Sequence, residues 1–134
     1  MSKFLLKVLS VTHWTDTLFS FQIERPKDFK FKSGEFVMIG LPNSDKPILR
    51  AYSICSPSWD EKLEFYSIIV ENGPLTSKLK NIKINDEIIL MSKSTGTLIL
   101  DALKPAKRLF LFSTGTGFAP FSSIIRDPET YDKF

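Results

Sequence analysis

Short apolar, β-branched and aromatic segments follow one another closely along the chain, at residues 4–12, 17–24, 35–41, 48–55, 63–70 and 87–91. Turn-forming clusters separate them: Arg25-Pro26-Lys27-Asp28, Lys32-Ser33-Gly34, Pro42-Asn43-Ser44-Asp45, Ser56-Pro57-Ser58 and Asn85-Asp86. Six short strands with such turns predict a mainly β fold, an antiparallel six-stranded Greek-key barrel, because closing a sheet on itself removes exposed strand edges. One insertion interrupts the pattern. In Gly73-Pro74-Leu75-Thr76-Ser77-Lys78-Leu79 a turn glycine precedes a proline suited to a first helical turn, and Leu75 and Leu79 stand four apart, which predicts a short helix capping the barrel.

From Arg108 the pattern changes. Leu109-Phe110-Leu111-Phe112 is apolar at consecutive positions, as in a strand buried on both faces of a parallel sheet. The glycine-containing Ser113-Thr114-Gly115-Thr116-Gly117-Phe118-Ala119-Pro120 follows, and then a helical run over residues 121–126. Strand, glycine turn and helix predict the first βα unit of a nucleotide-binding α/β domain, with Lys104-Pro105-Ala106 as linker. The expected division is a barrel domain over residues 1–103 and the start of the α/β domain over 104–134. A lone βα unit cannot bury a two-faced strand, so the chain reads as the N-terminal portion of a longer, truncated two-domain protein.

Composition narrows the class. With 134 residues, 43% hydrophobic, 25% charged and a mean hydropathy of −0.03, the chain fits a packed globular domain and fits poorly with disorder. No apolar stretch approaches the roughly 20 residues of a membrane-spanning helix, and Lys7 interrupts the apolar start that would otherwise resemble a signal peptide. Cys55 and His13 are each the sole residue of their type, so no intramolecular disulfide and no cysteine-based zinc site is available, no metal ligand set is expected, and a reducing, cytoplasmic setting is. The net charge of +3 is far below the clustered charge of a dedicated nucleic-acid binder, and no nucleic-acid partner is expected. The whole excess lies between residues 76 and 107, where Lys78, Lys80 and Lys83 stand close together.

Three stretches carry candidate chemistry, and each alone has an ordinary reading. Arg50-Ala51-Tyr52-Ser53 has the look of a surface strand, Gly73-Pro74-Leu75-Thr76-Ser77 of a structural helix start, and Gly115-Thr116-Gly117-Phe118-Ala119-Pro120 of a dinucleotide turn in which Pro120 replaces the usual third glycine. Together, in this order on a barrel followed by a βα unit, they resemble the ferredoxin-NADP reductase family, closest to the bacterial type that uses ferredoxin or flavodoxin. The resemblance extends over His13-Trp14-Thr15-Asp16-Thr17-Leu18-Phe19-Ser20, Gly34-Glu35-Phe36 and Leu63-Glu64-Phe65-Tyr66.

That resemblance implies an enzyme with FAD as cofactor, passing electrons between NADP(H) and ferredoxin or flavodoxin. It implies that Arg50 meets the FAD diphosphate, that Tyr52 packs on the isoalloxazine, and that Ser53, the implied catalytic residue, bonds near the reactive N5, with Ala51 between them. Residues Gly73, Pro74, Leu75 and Thr76 would supply a second phosphate contact, while Tyr66 and Thr116 would also reach the flavin. Arg50 suits its role because a guanidinium is permanently charged and grips phosphate oxygens through paired donors. Tyr52 and Ser53 point to opposite faces of an ideal strand, so a local twist or bulge is expected there. Ferredoxins and flavodoxins are typically acidic, so the three lysines suggest a steering surface. The rival reading is a non-catalytic barrel module that binds nucleic acid or a protein.

Overall fold

A computed structural model describes residues 2–43 and 45–134. Six strands are present: β1 (Lys3–His13), β2 (Leu18–Glu24), β3 (Phe36–Gly40), β4 (Leu49–Ser53), β5 (Lys62–Ile68) and β6 (Glu87–Met91). They lie in the order β4-β3-β6-β1-β2-β5 with every pair antiparallel, and the non-consecutive neighbours give the expected Greek-key connectivity. The turn at 42–45 includes Ser44, which lies outside the described residues.

β1 curls the sheet. Its first half, Lys3 to Lys7, pairs with β6 and its second half, Val8 to His13, pairs with β2, with a register shift between Val8 and Ser10. An extra residue at such a point bends the strand and increases its twist, which turns one strand into two walls of a barrel. The inward residues of β2 and β5 are aromatic or aliphatic, and Phe19, Phe21, Ile23, Leu63 and Phe65 are essentially inaccessible. Their rings form a row in which Phe19, Phe21 and Phe65 follow one another at 6.1 and 5.5 Å, and Tyr52 meets Phe65 edge-on at 6.4 Å. The expected cap helix is the single turn α1 (Thr76–Leu79), where Leu79 with Leu75 and Ile82 closes one end of the core.

The C-terminal segment follows the expectation only in part. Helix α2 (Phe118–Ile125) starts three residues earlier than the sequence pattern predicts, with Pro120 in its first turn where no intrahelical donor is lost. A further helix, α3 (Pro128–Lys133), was not expected, although Asp127-Pro128-Glu129 is a legible start: Asp127 accepts from the Glu129 amide at 3.0 Å. Residues 109–112 make no ladder, contrary to the predicted strand, because no neighbouring strand is at hand to pair with them. Leu109, Phe110 and Leu111 line a groove with Ile125 of α2 and Thr130 and Tyr131 of α3, and Phe110 and Phe112 stack at 6.4 Å and stand 69% and 85% exposed.

Both helices are tied to the barrel by buried polar contacts. Ser33 Oγ donates to Asp127 at 2.7 Å, Ser123 Oγ donates to the Ser56 carbonyl at 2.8 Å, and all four residues are buried. The cost of burying polar groups is met because each finds a partner.

Candidate functional site: the open seam of the barrel

β4 and β5 are the end strands of the sheet order, so each has one edge without a strand partner. Their backbones pair just past β4, where Ile54 bridges Phe65 and the Cys55 amide donates to the Glu64 carbonyl at 2.8 Å. Beyond that bridge the edges diverge and leave a cleft of about 280 Å³. Its walls are Arg50, Ala51, Tyr52 and Ser53 of β4, Tyr66, Ser67 and Ile68 of β5, Thr76 of α1, Thr116 of the glycine turn, and Ala119 of α2.

Seven of the ten residues singled out from the sequence thus line one cleft, although they come from four separate segments of the chain. The bulge expected in β4 is absent: its register with β3 runs unbroken from Phe36 opposite Ser53 to Gly40 opposite Leu49. None is needed, because a ligand at a strand edge is flanked by side chains of both faces, so Tyr52 and Ser53 reach the same space. Gly73, Pro74 and Leu75 do not line the cleft. Leu75 is buried in the core, and Pro74 borders a separate small groove with Lys46 and Lys78. Gly73 sits so close to its neighbours that an added Cβ would lie 2.4 Å from Thr76 Oγ1, and Asn72 beside it takes φ +58°. This tight loop orients Thr76, whose hydroxyl accepts from the Val70 amide and donates to the Val70 carbonyl.

The polar groups of the cleft differ in what they are already committed to. Tyr52 is half-buried, and its hydroxyl lies 3.0 Å from Ser67 Oγ, so the ring is fixed across the seam. Burial is the main reason that the Tyr52 and Tyr66 phenols are pushed above their ordinary range, and both stay neutral near pH 7. Arg50 is exposed, and its guanidinium makes one hydrogen bond, to the carbonyl of its neighbour Leu49 at 2.9 Å. Among the described residues, the hydroxyls of Ser53, Tyr66 and Thr116 have no protein partner. A cation with spare donors, three uncommitted hydroxyls and two tyrosine rings therefore converge on one slot.

Sequence reasoning missed Ser67, Ile68 and Ala119. Ser67 was the legible one, since it follows Leu63 and Phe65 at a period of two and so places a hydroxyl on the buried face of β5.

A sequence profile described as oxidoreductase FAD-binding domain matches residues 4–98, well over half of the chain. The chain belongs to this FAD-binding domain family. FAD is accordingly its cofactor, and the barrel is a flavin-binding fold. Among relatives of this FAD-binding domain, the flavodoxin/ferredoxin–NADP reductase of Rhodobacter capsulatus is 62% identical over 128 residues, 95% of this chain and 47% of that protein. The ferredoxin–NADP reductase of Pseudomonas aeruginosa is 56% identical over 96% of this chain and 50% of its own length. The crystal structure of a ferredoxin NADP+ reductase from Neisseria gonorrhoeae with bound FAD and NADP superposes with a TM-score of 0.94 at 33% identity, covering 98% of this chain and 54% of that one. The chain thus spans about half the length of the curated relatives it matches.

The seam of this FAD-binding domain fits the group its family carries: a permanent cation for a diphosphate, aromatic faces for a flat ring system, and hydroxyls free to bond its polar edge. No metal cluster competes for the reading, since among the described residues no three His, Cys, Asp or Glu side chains gather. No helix among them is long and apolar enough to cross a membrane.

Cys55 lies two residues past Ser53 and does not line the cleft. It is fully buried, and burial pushes its thiol far above the ordinary range, so it remains a protonated thiol at neutral pH. Alkylation of the native domain with iodoacetamide is expected to be at least about a hundredfold slower than in denaturant, because the thiolate fraction falls tenfold per unit of pKa. Equal rates in the two conditions would contradict that burial.

Proposed function

We propose that the protein carrying this domain is a reductase that moves electrons between NADP(H) and a ferredoxin or flavodoxin, with FAD held in the β4–β5 cleft. The carrying observation is that Arg50, Tyr52, Ser53, Tyr66, Thr76 and Thr116 meet in that one cleft. FAD, when bound, supplies the exchange of two electrons with a nicotinamide and of single electrons with a carrier. The chain's residues bind and orient it. Arg50 would pair with the diphosphate, and Thr76, at the start of α1, would add a donor by turning its proton from the Val70 carbonyl, 3.3 Å away. Tyr52, held by Ser67 and Phe65, offers a fixed ring face to the isoalloxazine. Ser53 Oγ would hydrogen-bond near N5, a role open to a hydroxyl because it can both donate and accept. Tyr66, whose ring lies 6.3 Å from that of Phe118, would offer a second aromatic face to the flavin.

Residues 1–103 are read as the FAD-binding unit and residues 104–134 as belonging to an α/β unit that takes the nicotinamide nucleotide. The glycine turn running into α2 supports that division. A lone, buried Cys55 agrees with a cytoplasmic setting.

The test is direct. The purified chain is titrated with FAD and followed by flavin absorbance and by the rise in melting temperature that a ligand specific to the native state produces. Saturable uptake at one FAD per chain supports the reading, and no uptake refutes it.

The carrier's docking face is assigned to Lys78, Lys80 and Lys83, all exposed, on and just after the helix that brings Thr76 to the cleft. Changing all three to Gln is expected to slow association with an acidic carrier about tenfold at low salt, since opposite charge steers encounter. The difference should vanish at about 1 M salt, where the Debye length is about 3 Å. An unchanged rate at low salt would move the docking face elsewhere.

A further inference from the structure

The cleft can hold a ligand only because the seam is closed at one end and open at the other, and that closure is slight. The Ile54–Phe65 bridge, the Glu64 amide bonded to Ser56 Oγ and the Tyr52–Ser67 hydroxyl contact join the two strands directly, and α2 adds a further fastening between β4's continuation and β5 through Arg126 at its C-terminus. One guanidinium nitrogen, Nη2, donates to the Cys55 carbonyl on the β4 side and to Glu64 Oε1 on the β5 side, the latter at 3.1 Å. The same group is aimed by its own helix, since Nε donates to the Ser122 carbonyl at 3.1 Å and Nη2 contacts Ser122 Oγ at 2.9 Å. Nearby, Ser123 donates to the Ser56 carbonyl while Ser56 Oγ accepts from the Glu64 amide at 3.0 Å. Cys55 is two residues from Ser53, and Glu64 is two residues from Tyr66. The other end of α2 runs back to the cleft, where Ala119 and Thr116 form its third wall.

An exposed ion pair is worth little for stability, and the Arg126–Glu64 pair is 39% and 21% exposed. Its worth here is geometric. One planar donor group with its fork fixed by Ser122 spans an acceptor on each lip of the seam, which an ammonium on a flexible stem does less well. We propose that Arg126 is a positioning residue for the flavin: by bridging Cys55 and Glu64 from the C-terminus of α2, it sets the spacing of the two cleft walls and their register with Thr116. The inference rests on the FAD reading above.

The experiment compares the wild-type chain with Arg126→Gln, Arg126→Lys and Glu64→Gln, first without FAD and then with it. In the FAD-free chains, hydrogen exchange is read at Cys55, whose amide spans the seam, and at the β1–β2 ladder as an internal reference. Arg126→Gln should speed exchange at the seam and leave the β1–β2 ladder unchanged. It should weaken FAD binding about tenfold, within the range by which residues coupled to a site without touching the ligand alter affinity, and shift the visible band shape of the bound flavin. Arg126→Lys should recover part of both effects, and Glu64→Gln should show a smaller change of the same sign. Unchanged seam exchange, or unchanged FAD affinity and spectrum, in Arg126→Gln overturns the proposal, as does a uniform loss of protection over the whole barrel. Should Arg126→Gln not fold, Glu64→Gln decides by the same readings. Failure of the wild-type chain to bind FAD would sink the FAD reading instead, and the exchange data would still report whether Arg126 fastens the seam.

Discussion

Arg50→Ala is expected to weaken FAD binding roughly ten- to a hundredfold, the equivalent of the about 1.5–3 kcal/mol that hydrogen bonds to a charged group contribute. The effect should fall on binding and not on folding. Arg50 is exposed and bonds only the adjacent carbonyl, so its loss should change stability by less than about 0.5 kcal/mol. Arg50→Lys should recover part of the affinity, since an ammonium keeps the charge and loses the paired donors. The loss should also shrink in high salt, because an exposed cation is screened. Tyr52→Ala removes the ring face and should weaken binding to a similar extent. Equilibrium titration of each variant with FAD, beside its melting curve, separates the two effects. Unaltered FAD affinity in both Arg50→Ala and Tyr52→Ala would place the flavin elsewhere.

Phe65→Ala is expected to cost about 3–5 kcal/mol of folding stability, in the range measured for deleting a buried aromatic side chain. Phe65 is wholly inaccessible, stacks toward Phe21 at 5.5 Å, supports Tyr52 edge-on, and sits in the bridge that closes the seam. One substitution therefore hollows the core and loosens the base of the cleft. Urea unfolding should show a lower midpoint with an unchanged slope, since the extent of the fold is the same. Phe65→Leu, which keeps most of the volume, should lose far less. Excess FAD should restore part of the lost stability if the seam still binds it, by about 2.7 kcal/mol at a hundredfold excess over the dissociation constant. A Phe65→Ala domain as stable as the wild type would mean that the barrel core does not depend on the seam.

How much was readable beforehand follows from which interactions are local. Strand positions were legible because alternation along β2 and β5, with inward Phe19, Phe21, Leu63 and Phe65, is written into neighbouring residues. The cap helix was legible from Leu75 and Leu79, whereas Arg50-Ala51-Tyr52-Ser53 alone reads as a surface strand and pointed to a flavin only through the family resemblance. The segment 109–112 was misread as a strand because four apolar residues specify a wish for burial and leave the partner unspecified. Strand identity needs a ladder, and a ladder needs a neighbour. Helix α3 was passed over despite its Asp127 cap, because six residues carry too little periodicity to register.

The sequence by itself determined the barrel class, the order of its strands along the chain, the family resemblance and most of the side chains that face the cleft. The first two follow from patterning, which acts over a few positions, and the cleft side chains from the family resemblance of three motifs taken together. The tertiary structure alone decided that the sheet ends in β4 and β5, that the backbones of those two edges pair just past β4, and that Tyr52 and Ser53 reach the same slot without a bulge. It alone brought Arg126 across 71 positions to Cys55 and 62 to Glu64. The reason is that a seam is a relation between two strand ends distant in sequence. Its geometry is set by closure of the whole barrel, and no local pattern of residues can record it.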